Sequence, residues 1–271
     1  SSMTIQTKPI PFSAPMVQAL LREIRTPGTG KTQTRRIFKV RGPMGVSYPV
    51  TSPEESLIEL CDNELRDHGT IHYLSTGALS GPYKCPYGKP GGLIYVRESY
   101  FQRGHWEPVE GKRTKSGRQK WAFIPENDDI SFEAPGQFRK GRHHKDPATI
   151  AWHQRLGRFM PRRYSRITLE VTDVRVQRLQ DMDGQAPYPG ESDALAEGIH
   201  RIHHGDGAYY YSAFRDEPDG QNWCDPTDAF RELWESINGS ESWDANPWVW
   251  AVSFKPHLIN VDQFIKGRAA A

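Results

Sequence analysis

The run Gly28-Thr29-Gly30-Lys31-Thr32, followed by Gln33-Thr34-Arg35-Arg36, holds residue types that bind phosphate. A phosphate-binding P-loop needs a glycine five residues ahead of its Gly-Lys pair, so that backbone amides can wrap the phosphates. Arg25 stands at that position. The loop must also follow a buried strand and open a helix. Here the order is reversed: "APMVQALLREIR" has helical spacing and precedes the loop, while "TQTRRIFKV" follows it and is rich in strand formers. No apolar run ends in an aspartate placed to hold Mg²⁺. The P-loop reading fails, which leaves Lys31 and its neighbours for other chemistry.

Other residues invite weaker readings. His143-His144 and His203-His204 are adjacent pairs, which point apart in an extended chain and lack the partners of a metal site. No metal or cofactor is called for. Arg97-Glu98 closes an apolar run with two charges, either as a structural ion pair or as a bidentate contact to a ligand. Arg35 and Arg36 are adjacent in a strand, so one of them must point inward. Trp248 and Trp250 share a strand face, where core packing is the simpler role than a stacking platform.

These residues need a scaffold, and 271 residues allow one large domain or two small ones. With 36% hydrophobic residues, 21 Pro and 24 Gly, the composition suits a β-rich core carrying long loops better than a helical bundle. A net charge of +2 does not by itself demand nucleic acid. Cys61, Cys85 and Cys224 are odd in number and unpaired in spacing, which fits a reducing cytoplasm. No stretch is apolar enough for a signal peptide or membrane span. Ser1-Ser2 ahead of Met3 read as a cloning remnant.

Met16, Ala19, Leu20 and Ile24 predict a first helix, and a short helix is expected around "PEESLIELCDNELRDHG". "GGLIYVRESYF" and "RITLEVTDVRV" predict strands, the second long or bent. "ESDALAEGI" predicts a short helix stopped by Gly198. "DPTDAFRELWESING" predicts a helix capped by Asp225, with Phe230, Leu233, Trp234 and Ile237 as its core stripe. "NPWVWAVSFKP" predicts the closing strand. Insertions are expected at about 41–90, 102–158 and 200–223. The second is dense in Lys and Arg, read as a solvated loop or a hairpin around Ser116-Gly117. The tail 257–271 is expected to be peripheral.

This order of a helix, "GKTQTRR", "GGLIYVRESY", "RITLEVTDVRV", "AEGI", "FRELWESING" and "PWVWAVSF" resembles the ASCH proteins, a PUA-like family, in their longer phage and prophage form. The resemblance covers about half the chain. It implies an α+β fold: a small PUA-like β-barrel with flanking helices and long loop insertions, in a single domain spanning 4–256. Smaller members are amidohydrolases that remove the acyl group from N4-acetylcytidine with a Lys, a Thr and a Glu. Carried over, these fall on Lys31, Thr34 and Glu197. Thr32, Arg35, Arg36, Arg97 and Glu98 are the substrate-contact candidates. Arg163 in "MPRRYSR" departs from the tryptophan found in many long relatives. Other members are RNA-associated, so the alternative is a non-catalytic RNA-binding module that uses the basic 102–145 segment against phosphates, and a phage factor binding host protein or modified nucleic acid is a third reading.

The implied residues make chemical sense. A threonine hydroxyl needs a base to attack an amide. Lysine serves if burial lowers its pKa, and glutamate can orient it or protonate the leaving nitrogen. In a regular strand Lys31 and Thr34 point to opposite faces, so convergence requires a break at Gly30. Thr34 is therefore either the nucleophile or the residue that positions a water. The expected partner is a nucleoside or nucleobase, with RNA possible and no membrane.

Overall fold

The computed structural model describes residues 5–41, 44–51, 56–58, 70–75, 78–182 and 192–271. They group into two compact units, one of Ser1–Ile10, Pro15–Val96 and Arg166–Ala271, the other of Pro11–Ala14 and Arg97–Ser165. The architecture is α+β and mostly sheet, with few helices.

The first unit is built on five strands: β1 (Thr7–Pro11), β2 (Gln33–Ile37), β3 (Leu93–Arg97), β4 (Thr168–Arg178) and β5 (Trp248–His257). They lie in the order β1-β3-β4-β5-β2, so the closing segment of the sequence is an inner strand. β4 and β5 are antiparallel across almost their whole length, with a register shift between Val171 and Asp173. That irregularity makes one bent strand of the segment. Both faces are covered, because Val249, Trp250, Ala251 and Val252 are consecutive and all buried. β1 and β2 are the edges, and no pairing between them closes the sheet among the described residues.

Helix α1 (Ala14–Arg25) buries Met16, Val17, Ala19 and Leu20, the expected stripe. Helix α2 (Asp193–Ala196) is capped by the Ser192 hydroxyl and stopped by Gly198 at φ +104°. Helix α3 (Pro226–Asn238) begins with the Asp225 carboxylate accepting from the Thr227 amide at 2.7 Å and ends at Gly239. Its buried residues are Ala229, Phe230, Leu233 and Trp234, whereas Ile237 is exposed. The stripe stops one turn early because the helix ends there. Helix α4 (Val261–Ala269) lies in the C-terminal tail, and its Val261 is packed with Leu93 and Tyr95.

The insertions are more ordered than their composition suggests. Residues 200–212 form a hairpin, His200–His203 with Tyr209–Ser212. In the segment expected to be helical, Ser56–Ile58 is a strand paired with Thr70–Ser75. Cys61 and the rest of that expected helix lie outside the described residues.

The second unit carries three antiparallel strands, Tyr100–Arg113 between Gln119–Ser131 and Ala151–Arg155. The segment read as a solvated loop is therefore a long ribbon, turning at the expected Ser116-Gly117, where Gly117 has φ +78°. Phe101 packs edge-on against Phe138, with 4.9 Å between ring centroids, and Tyr100 against Tyr164.

Candidate functional site

Lys31 lies outside β2, in the segment between Gly30 and the first strand residue, Gln33. Its amide donates to the Ala19 carbonyl of α1 at 3.0 Å, and the next amide, of Thr32, donates to Ala196 of α2 at 2.8 Å. The Thr32 carbonyl then accepts from Phe254 of β5. Three elements thus fix two residues. Gly30 makes this approach possible: a β-carbon there would sit 2.3 Å from the Ala19 carbonyl oxygen and from the Glu23 amide nitrogen.

The glycine loop does hold an anion, but an internal one. The amides of Gly28 and Gly30 donate to the Glu23 carboxylate at 2.8–3.0 Å. The P-loop-like sequence is a nest for the acidic side chain of the preceding helix.

Lys31 is 1% exposed and Glu197 2%. The amine donates to a Glu197 carboxylate oxygen at 2.8 Å and to the Glu197 carbonyl at 2.7 Å. The other carboxylate oxygen accepts from Arg35 Nη1 at 2.8 Å. Arg35 also stands 3.0 Å from Asp193, which is 3.2 Å from Arg175. The chain of charges is Lys31, Glu197, Arg35, Asp193, Arg175. Burial pushes the Lys31 amine below its ordinary range, with Arg36 and Arg35 acting the same way and Glu197 opposing. The guanidinium of Arg36 is also lowered by burial, near Tyr87 and Glu197.

Thr34 is buried one residue before Arg35 and pairs with Val252, while Arg35 pairs with Ala251. In a pleated strand the two face opposite sides. Among the described residues no hydrogen bond joins the Thr34 hydroxyl to Lys31 or Glu197. The structure thus joins Lys31, Glu197 and Arg35 directly and leaves Thr34 one register position away. Arg97 and Glu98 belong to the second unit, where Glu98 is buried and Arg97 reaches the Arg158 carbonyl at 3.4 Å.

Two members of the charge chain were not among the candidates read from sequence. Asp193 precedes Glu197 by four residues, which puts both on one helix face, so "SDALAEG" carried the signal. Arg175 aligns with Arg35 across Ala251, a register that sequence alone does not supply. Trp250 packs on Phe38 at 5.1 Å between ring centroids and acts as core. Trp248 carries Arg178 over its ring at 4.9 Å. His143 and His144 stack on each other, and His203 and His204 lie against Tyr209 and Tyr210. No three His, Cys, Asp or Glu side chains are grouped to hold a metal among the described residues. No helix among them is long and apolar enough to cross a membrane.

Comparison with protein-family models, curated proteins and solved structures returns no match.

Proposed function

We propose that this protein is an amidohydrolase that removes the acyl group from N4-acylated cytosine nucleosides. The observation that carries the reading is a fully buried lysine amine 2.8 Å from a buried glutamate carboxylate, at the two positions the ASCH resemblance marks. Burying such a pair is costly, and similar-volume apolar residues often stabilise a fold as well. Its presence beside a glycine-rich break, hydrogen-bonded to two helices, supports a chemical role. The open five-stranded sheet then represents the core of a PUA-like fold.

In this mechanism water adds to the acyl carbon and the bond from that carbon to N4 breaks. Lys31, biased toward its neutral form by burial, accepts the proton of the attacking oxygen. The Lys31–Glu197 pair returns a proton to the departing nitrogen, giving cytidine and a carboxylic acid. Arg35 and Asp193 hold the Glu197 carboxylate in place. Thr34 contributes either as the attacking hydroxyl, through an ester later hydrolysed by water, or by orienting that water; both routes balance. The absence of a direct hydrogen bond to Lys31 favours the second. Incubation with N4-acetylcytidine in the presence of EDTA should release cytidine and acetate in equal amounts. No release at micromolar enzyme and millimolar substrate would reject the reading.

A further inference from the structure

Charge is segregated between the two units. Residues 11–14 and 97–165 hold fifteen Lys and Arg against eight Asp and Glu, a formal +7. The remainder holds twenty against twenty-five, a formal −5. The near-neutral total therefore conceals a strongly basic second unit.

Within that unit nine of the fifteen basic side chains fall into two groups. Arg103, Arg139 and Arg163 are paired with Glu126, Asp146 and Asp128. Lys112, Lys115, Arg118, Lys120, Lys140 and Lys145 form no ion pair among the described residues. Four of these six lie on the distal ribbon, where every residue from 110 to 120 is exposed. A two-stranded ribbon exposed on both faces buries too little to contribute much stability. The loop 139–145, "RKGRHHK", is tied to the same ribbon, because the Arg142 guanidinium lies 4.2 Å over the Trp121 ring. Both basic runs thus meet at Trp121, beside Lys120. Arginine, lysine and an aromatic ring on one ribbon match a polyanion of regularly spaced phosphates.

We infer that the 107–121 ribbon and the 139–145 loop form a nucleic-acid-binding arm that holds a polynucleotide through its phosphate backbone, without base specificity. The inference does not depend on hydrolysis at Lys31, and its test involves no acylated substrate. Full-length protein is titrated into labelled 20-nucleotide single-stranded RNA, DNA of the same sequence and the DNA duplex, followed by fluorescence anisotropy at 50 to 200 mM salt. Five phosphate contacts to a single strand would cost about 100-fold in affinity over that range. The triple variant Lys115→Glu/Arg118→Glu/Lys120→Glu should bind at least about ten-fold more weakly and flatten the salt slope by about 2. The charge-matched variant Lys89→Glu/Lys255→Glu/Lys266→Glu, on exposed positions of the first unit, should bind like wild type. The RNA, DNA and duplex arms identify which backbone is preferred. Absence of binding to all three at 50 mM salt would overturn the inference. So would equal losses in the two triple variants, or tighter binding to phosphatidylserine vesicles than to any of the nucleic acids.

Discussion

Replacing Glu197 by glutamine keeps the shape of the side chain and removes its charge, leaving the buried Arg35 guanidinium and the Lys31 amine facing an amide. The carboxylate stands 2.8 Å from both the Lys31 amine and Arg35 Nη1. At an effective dielectric of 20, the contact with the Arg35 guanidinium has a gross attraction of about 6 kcal/mol, and the Lys31 contact has as much only in the protonated form of the amine. Desolvation offsets most of that in the intact protein. Removing one partner leaves the offset uncompensated, with a cost of about 3–5 kcal/mol. Lys31→Met should behave differently, because Glu197 keeps Arg35 and the amine is replaced by an apolar group of similar length. Its cost should be about 1–2 kcal/mol, at the level of an ordinary core substitution. The double variant should recover part of the Glu197→Gln loss, a coupling of about 1–3 kcal/mol. Urea unfolding monitored by circular dichroism, for wild type, both singles and the double, gives all four values. If Glu197→Gln lies within about 0.5 kcal/mol of wild type, or the two changes add without coupling, the buried pair does not exist as described.

Other consequences can be checked alongside. Gly30→Ala should destabilise by about 1–3 kcal/mol through overpacking against α1, measured by urea midpoint; Gly28→Ala meets no neighbouring atom but sits at φ +87°, so its cost of about 1 kcal/mol should come from backbone strain alone. His200, with Arg22 Nη1 3.1 Å from its Nε2, is held neutral with its pKa pushed down to about 4, by burial first and then by Arg22, against the opposing Asp216. A depressed histidine contributes stability above the unfolded pKa near 6.5 and loses it as pH falls toward about 4. Wild type should therefore lose about 1 kcal/mol more than His200→Gln between pH 7 and pH 4.5, discounted for partial exposure, and an unchanged difference would count against it. Thr34→Ala should keep measurable turnover and show no acyl adduct by intact mass if Thr34 orients water. Near-complete loss, with Thr34→Ser partly active, would identify it as the nucleophile.

Legibility in the sequence followed the range of the interactions involved. Helix α3 was readable because its cap, its stripe and its stop are all local, and only Ile237 escaped, at the end where the helix no longer faces the core. The pairing of Lys31 with Glu197 spans 166 residues, and no periodicity reports it. It was reached through resemblance, and Asp193 could have been added from its four-residue spacing to Glu197. Arg175 depends on the register of β4 against β5, which nothing in its own segment encodes. The basic insertion misled for a physical reason: charged residues predict exposure correctly but say nothing about whether an exposed backbone is paired. Residues 110–120 are exposed, and those from Arg113 back and from Gln119 onward are still strand.

The central claim is that the buried Lys31–Glu197 pair is a hydrolytic centre, and the most direct measurement is the rate of cytidine formation from N4-acetylcytidine by folded Lys31→Ala protein beside wild type. The account predicts a loss of about 10²–10⁴-fold or more at unchanged secondary structure, with Lys31→Arg no better, because a guanidinium does not release its proton near neutral pH. A folded Lys31→Ala protein turning over at a rate close to wild type would contradict it.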